Sequence, residues 1–486
     1  MATVTTHPAN HKSAQPTNHK SNRRRNHKNR FDTVAEPFLQ GEGLPFSSVL
    51  SAESIERAFI EDDGLFAQDD LFSTHITLWA FLAQALRDGK GASCAAAVAE
   101  ITTYMLQTGR QPPAGDTGDY CRARAKLSLP ALRRLVVESA EQLEREADES
   151  WLFNGLHAKL VDGFTFTMPD TAYNQAEFPQ LSTQRVGAGF PIARCCTVMS
   201  LATACVCDMA IGPYKGKGTG ENALLREMLD VFDEGDVVVF DRYYCSFMML
   251  AMLSCRGVHA CTRLHQRRTS DFRRGHRLGQ DDHLVTWTRP AKPDWMSERQ
   301  YAQIPATLLL RELRFDVAVP EHRTEEITVI TTLVDPEAFP AEDIAALYGL
   351  RWNVELDIRD IKQTLGLDHV RCKSPHMVRR ELWVTLLAYN LIRKVIAASA
   401  AVHGKQPRRL SFTWTCQTVL ASWILLSTGS ARNARQLWTA ALDSIAAHEV
   451  PLRPGRIEPR VIKRRRDRYP LMHDPRDELR EAIGKT

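Results

Sequence analysis

The sequence predicts an α/β protein: a mixed-sheet core, interrupted by a β insertion and flanked by helical regions at both ends. Three observations carry this reading. Residues 47–150 repeat apolar residues three and four apart, the period of an amphipathic helix. At 157 the period changes to short apolar runs rich in β-branched residues and Cys, separated by turn residues and short helical stretches. From 340 to 448 the helical spacing returns. With 486 residues the chain is too long for one core, and three or more domains are expected.

The elements follow in order. Residues 1–44 form a basic tail in which "NHK" recurs at 10, 18 and 26 in a Ser, Asn and Pro background, a composition that predicts disorder. Residues 45–150 read as a helical N-terminal domain. "FSTHITLWAFLAQALRDGK" starts after the capping residues Ser73 and Thr74, and "DYCRARAKL" sets Arg122, Arg124 and Lys126 at one basic corner before a long helix. That corner suits DNA binding, and it would equally suit a docking domain. The core is assigned to 151–263 and 336–400. "HAKLVDGFTFTMPD" is a strand ending near Asp162, and "FPIARCCTVMSLATACVCDMAIG" is two strands. "TGENALLREMLDVF" is a helix capped by Thr219, "GDVVVFDRYYCS" a buried strand ending at Asp241, "FMMLAMLSC" a helix and "GVHACTRL" a strand. Residues 264–335 alternate like strands but are too polar for a central sheet, so they are expected as an inserted β subdomain. Residues 340–367 are expected as one helix, with two or three more filling 376–448. Residues 401–486 are assigned as a helical, basic C-terminal region.

Composition limits the classes of function. The chain is 44% hydrophobic and 25% charged, as in soluble globular proteins. The net charge of +4 is small but unevenly placed. Residues 1–31 hold seven Lys or Arg and no acid; residues 451–468 hold eight against two acids and include Lys463, Arg464, Arg465 and Arg466. Both ends are suited to an anionic partner, with a solubilising tail and a solvated helix end as the plainer alternatives. The eleven cysteines include no C-x-x-C pair, which argues against a zinc site or a disulfide framework and for buried thiols in a reducing cytoplasm. The run "LWVTLLAYNLI" is short and flanked by Arg393 and Lys394, so no membrane partner is expected.

Three acids stand out by position. Asp162 and Asp241 close apolar strands, and Glu355 lies mid-helix beside Trp352 and Val354. Carboxylates at the ends of adjacent strands, joined by a third from a helix across that edge, would hold two divalent cations. Hard oxygen donors suit Mg²⁺, with Mn²⁺ as a substitute. Such a pair of ions drives phosphoryl transfer. A single acid at a strand end is more often a turn or cap residue. Asp170, Asp208 and Asp236 are competitors, of which Asp236 suits a turn and Asp208 a structural role. On a straight helix Tyr348, Arg351, Glu355 and Lys362 fall within about 60° of each other. The plain reading is a salt-bridged surface, since Arg351 and Glu355 make an ordinary i,i+4 pair. It does not explain the Tyr and Trp among the charges.

The pattern Tyr348, Arg351, Glu355, Lys362 resembles the signature of the DDE transposases of the insertion-sequence-four (IS-four) type. "LVDGFTF" and "VVVFDRYYCS" are similar to that family's two aspartate motifs. "TLWAFLAQAL", "DYCRARAKL" and "RPGRIEPRVIKRRRDRYPL" extend the likeness over about residues 45–475. The "NHK" tail has no counterpart. The resemblance implies a ribonuclease-H-like core and a bacterial, cytoplasmic enzyme. Such an enzyme binds double-stranded DNA at the terminal inverted repeats, synapses the ends as a homodimer and cuts both strands. It frees each end through a hairpin and joins the 3′-hydroxyl to target DNA. It implies Asp162, Asp241 and Glu355 as metal ligands and Tyr348, Arg351 and Lys362 as holders of the strand at the hairpin bend. It also implies a Trp from the β insertion to hold an unstacked base: Trp287 is preferred over Trp295, with β packing as the plainer role of either. A nuclease without strand joining and a non-catalytic DNA-binding protein derived from a transposase are the alternatives.

Overall fold

The computed structural model describes residues 50–60, 71–107, 111–216, 218–317, 325–428, 431–451, 472 and 474–484. The tail 1–44 and the run Lys463, Arg464, Arg465, Arg466 lie outside them. Five helices come first: α1 (Ala52–Ile60), α2 (Thr74–Ala85), α3 (Cys94–Gln107), α4 (Gly118–Lys126) and α5 (Leu129–Arg145). Ser73 caps α2, its hydroxyl accepting the Ile76 N–H at 3.4 Å. The core follows: β1 (Ala158–Thr167), α6 (Ala172–Glu177), β2 (Ile192–Ser200), β3 (Val206–Pro213), α7 (Glu221–Arg226), β4 (Val237–Phe240), α8 (Phe247–Ser254) and β5 (His259–Arg263). Gly220, not Thr219, is the N-cap of α7, because the Thr219 hydroxyl donates to the Gly216 carbonyl at 3.1 Å instead.

These five strands lie in the order β3-β2-β1-β4-β5. β1, β4 and β5 run parallel, and β2 is antiparallel to both β1 and β3. That is the ribonuclease-H arrangement. Ala158–Val161 are buried on both faces of the sheet, as a central strand with parallel neighbours requires.

The next strands are β6 (His276–Gly279), β7 (Asp282–Thr288), β8 (Thr307–Val317) and β9 (Glu325–Thr331), with α9 (Glu298–Gln303) between β7 and β8. They do not form a sheet of their own. β9 pairs antiparallel with β5 through Cys261↔Thr331 and Arg263↔Val329, so one nine-stranded sheet results, with β8, β7 and β6 outermost. Polarity misled the expectation of a separate β subdomain. Antiparallel strands keep one face in solvent, and their polar alternation is compatible with the same sheet.

The expected single helix over 340–367 is broken. α10 (Ala341–Gly349) passes into a 3₁₀ turn (Leu350–Trp352), then α11 (Asn353–Arg359), then a π turn (Asp360–Thr364). Both irregular turns change the rotation per residue. The remaining helices are α12 (Pro375–Val402), α13 (Phe412–Thr428), α14 (Ala431–Ala447) and α15 (Arg476–Gly484). Among the described residues α12 is the helix long and apolar enough to cross a membrane by length and composition, longer than the apolar run alone suggested; it is buried inside the protein. Asn390 of α12 is fully buried and joins three elements. Its amide donates to the carbonyls of Val136 and Val206, and its oxygen accepts the Val206 N–H at 2.8 Å.

Glu144 of α5 ties that helix to the sheet. Its carboxylate takes Lys159 Nζ at 2.7 Å, His157 Nδ1 at 3.2 Å and the Thr203 hydroxyl at 3.3 Å, all within a buried pocket. Burial alone would raise its pKa, but hydrogen bonds from His157 and Ser200 and the charge and hydrogen bond of Lys159 bring it down to about 2. A depressed carboxyl contributes stability that is complete above its unfolded value near 4.5 and is lost as pH falls through 2. Glu144→Gln is therefore expected to cost about 3 kcal/mol at pH 7, with the deficit shrinking below pH 4.5. Urea titrations of both proteins at pH 7 and pH 3 check this; an equal deficit at both pH values would contradict it.

Candidate active site

The register of the sheet brings the first two acids together. β1 pairs with β4 as far as Val161↔Phe240, so Asp162 and Asp241 are the next residues on two adjacent strands. Asp162 does not end β1, which runs on to Thr167 against β2; it marks where pairing with β4 stops. Its Oδ1 accepts the Gly163 N–H at 2.8 Å. Asp241 begins the turn after β4. Its Oδ1 accepts the Tyr243 N–H at 2.8 Å, and its carbonyl accepts the Thr262 hydroxyl at 2.9 Å.

Glu355 on α11 reaches the same edge through an arginine. The Arg351 guanidinium stands 4.0 Å from Asp162 and 3.4 Å from Glu355. It is buried, stacks 3.9 Å above the Trp352 ring, and leaves Nε without a hydrogen-bond partner among the described residues. Glu355 itself is about half exposed. Burial pushes the Asp162 carboxyl up to about 7; Arg351 and the Gly163 N–H oppose the rise, while Asp241 and Glu355 add to it. Asp241 and Glu355 thus both act on Asp162, and Arg351 lies between Asp162 and Glu355.

Of the other residues on the expected common face, Tyr348 stays beside Arg351 and Asp241, and Lys362 reaches β1. Tyr348 is buried, and burial pushes its hydroxyl up to about 12, with Arg351, Cys261, Arg263 and Asp241 as charged or titratable neighbours. Lys362 follows the π turn toward β1, where Nζ donates to the Thr165 carbonyl at 3.1 Å and pairs with Asp368 at 3.1 Å. The 3₁₀ and π turns depart from the uniform rotation of the straight helix on which that face was drawn.

The sequence reading missed Glu221. It heads α7, where an acid reads as an ordinary first-turn residue. Its carboxyl lies directly over Gly163: a Cβ added there would come within 2.1 Å of Glu221 Cδ, so only glycine permits the contact. Glu221 faces Arg194 at 3.9 Å and accepts the Tyr244 hydroxyl at 3.5 Å. Burial raises its pKa, and the Asp241 charge adds to that rise. It is a fourth acid at the same edge.

The competing acids are accounted for. Asp208 is buried in a two-point ion pair with Arg133, one arm of which is 3.0 Å. Asp236 accepts the Asp233 N–H within a turn, and Asp170 accepts the Gln175 amide. All eleven cysteines are free thiols, and Cys195, Cys196, Cys205 and Cys207 are buried.

The residues expected to contact DNA lie in different surroundings. Trp287 is buried on β7 with the Arg268 guanidinium 3.7 Å over its ring, because its side of β7 faces the core. Trp295 is 46% exposed, with Arg226 of α7 stacked 3.9 Å from it. Arg122 is exposed and paired with Asp119, and Arg124 is only 7% exposed, so the basic corner is half internal.

The donor chemistry fits a divalent cation: hard carboxylate oxygens, converging and mutually repelling. The spacing is not closed. Among the described residues no three Asp, Glu, His or Cys side chains stand together at ligand distance, since Arg351 holds Glu355.

Comparison with known proteins covers the same stretch of chain. The Transposase DDE domain family model matches residues 157–391, which include all three acids. The chain is 28% identical over 354 residues to the transposase InsG for insertion sequence element IS4 of Escherichia coli (strain K12), covering 72% of this chain and 77% of that protein. It is 35% identical over 102 residues to the putative transposase InsL for insertion sequence element IS186A of the same bacterium, covering 20% and 27%. Among solved structures, the piggyBac transposase synaptic complex with hairpin DNA aligns over 87% of this chain and 83% of that one. Its TM-score of 0.40 and 9% identity are too loose to place any residue. Sheet order and sequence likeness together support a DDE transposase of the insertion-sequence-four type, whose domain is matched over residues 157–391.

Proposed function

We propose that this transposase moves its own insertion sequence by cutting and joining DNA, with Asp162, Asp241 and Glu355 as its catalytic acids. The observation that carries this is the register that makes Asp162 and Asp241 neighbours, with Arg351 linking Asp162 to Glu355. The three carboxylates would hold two Mg²⁺ ions, or Mn²⁺ in their place. Bound there, the ions supply the charge that activates the attacking oxygen and stabilises the leaving one. The chain's own groups do the rest. Arg351, with an unpartnered Nε, is ready to turn from Glu355 to a phosphate, which would free Glu355 as a ligand. Tyr348 and Lys362 support the strand on either side. Trp295, exposed beside α7, is the ring available to an unstacked base if the end passes through a hairpin.

The division of labour follows the sequence reading. Residues 45–150 would read the terminal repeat, 151–263 and 336–400 would carry the acids, and 264–335 would flank the bound end. The basic region 401–486 would contact backbone or serve synapsis by a homodimer. The enzyme would act on chromosomal DNA in the bacterial cytoplasm.

Linear DNA carrying the flanking inverted repeat, incubated with Mg²⁺ or with EDTA and resolved on denaturing gels, tests the reading. The expected product is a Mg²⁺-dependent hairpin at the element end. Binding without any cut would favour a DNA-binding protein derived from a transposase, and cut ends that never join target DNA would favour a nuclease.

A further inference from the structure

A cleft of about 820 Å³ lies between the N-terminal helices and the start of α12. At its base is Arg124. A buried guanidinium normally has a carboxylate partner, because an unpaired buried charge is costly. Among the described residues no carboxylate pairs with Arg124. Its charge rests between the rings of Phe81 at 4.7 Å and Tyr120 at 5.1 Å. Nη1 donates to Gln84 Oε1 at 3.2 Å and Nη2 to Cys94 Sγ at 3.3 Å, while Nε has no partner.

The opposite wall is cationic too. Arg371 and Lys373 line the cleft and are exposed, and neither has an ion pair among the described residues. They lead into the N-terminus of the 28-residue α12, where Ser374 occupies the cap position without making the cap hydrogen bond. An uncapped N-terminus of a long helix attracts anions. The acid of the cleft, Glu381, is engaged by the N–H groups of Arg371 at 3.1 Å and Cys372 at 3.0 Å. Two of its lining segments lead away from the candidate active site. Residues 171–173 follow β1, and 371–374 follow the turn that carries Lys362.

We propose that this cleft is a phosphate-binding site that takes a phosphodiester of the DNA strand running on from the active site. Arg124, Arg371, Lys373 and the N-terminus of α12 are its ligands. The inference rests on the reading that the chain acts on DNA, and it is independent of which acids cut.

The test uses the full chain and a duplex carrying the inverted repeat. The exposed pair Arg371→Gln/Lys373→Gln is measured beside wild type across a salt series. A Kd about tenfold weaker, with the slope of log affinity against log salt reduced by nearly two, is the expected result, since each lost phosphate contact removes about 0.9. Arg124→Met, checked for folding by its thermal transition, should weaken binding in the same direction, and equally on a random duplex. An unchanged slope and a Kd within twofold for the double variant would overturn the proposal. So would a wild-type thermal shift in inorganic phosphate that the double variant loses while its DNA slope is unchanged, which would mark a free-phosphate site. Cleavage by Asp162→Asn is assayed separately, so failure of the catalytic assignment is read apart from failure of the cleft.

Discussion

Asp162→Asn is expected to abolish strand cleavage while making the metal-free protein more stable. The cleavage loss should be about 10³-fold or more, because a metal ligand supplies several kcal/mol of transition-state charge stabilisation. The gain in stability follows from the same burial. The carboxyl at 162 titrates near 7 in the fold, above its ordinary value of 3.8. A raised acid favours the folded state less as pH climbs from about 4 through 7, so above pH 7 the ionised side chain is a cost. Asparagine keeps the oxygen that accepts the Gly163 N–H and removes the charge. At pH 8 without metal the variant should gain on the order of 2 kcal/mol, in line with the common opposition of active-site function and stability. Denaturation with and without Mg²⁺, beside the gel assay, checks both halves. Cutting at wild-type rate would refute the ligand assignment; a metal-free variant less stable than wild type would refute the electrostatic account.

The largest loss of stability is expected at Asp357→Ala. This carboxylate is 3% exposed and holds two guanidinium groups. Arg393 Nη2 donates to its Oδ1 at 3.2 Å, and Arg408 Nη1 lies 3.0 and 2.8 Å from its two oxygens. Arg393 also bonds Asp360 at 3.2 Å and the Tyr389 hydroxyl at 2.8 Å, while Arg408 donates to the Ser200 carbonyl at 2.6 Å. One side chain thus joins α11 and the π turn to α12, to the 406–409 segment and to the end of β2. Removing it leaves the buried Arg393 and the partly buried Arg408 short of their acid, which costs about 3–5 kcal/mol. A loss under about 1 kcal/mol in urea unfolding would show that Asp360 and water replace it. Because this network anchors the turn after Glu355, cleavage should fall as well, whereas binding through 45–150 should not.

Much of the fold was legible because local chemistry decided it. The strands β1 to β5 were readable from β-branched and Cys-rich runs broken at Gly220, Asp241 and Gly257, since burial on both faces of a parallel sheet leaves little choice of residue. The acids at 162 and 241 were singled out by their position directly after "KLV" and "VVVF", and by their likeness to a family's motifs rather than by either position alone. Glu355 needed the four-residue spacing around it. Glu221 was not legible, because its distinguishing property is the missing Cβ of a glycine on another strand.

What the sequence by itself determined is therefore most of the elements and the likeness to a family, and it singled out the three acids proposed for the site. Tertiary structure alone decided which groups meet. Backbone pairing, which no side-chain pattern encodes, carried β9 onto β5 and set Asp162 beside Asp241. Packing broke the helix at 350–364, kept Arg351 with Glu355, and turned Tyr348 inward and Lys362 toward β1. It also buried Trp287 and Arg124, which their local sequence made look like surface residues. The physical reason is common to all of these. Periodicity reports which face of an element is apolar, whereas distance between elements is set by the long-range contacts that fill the core.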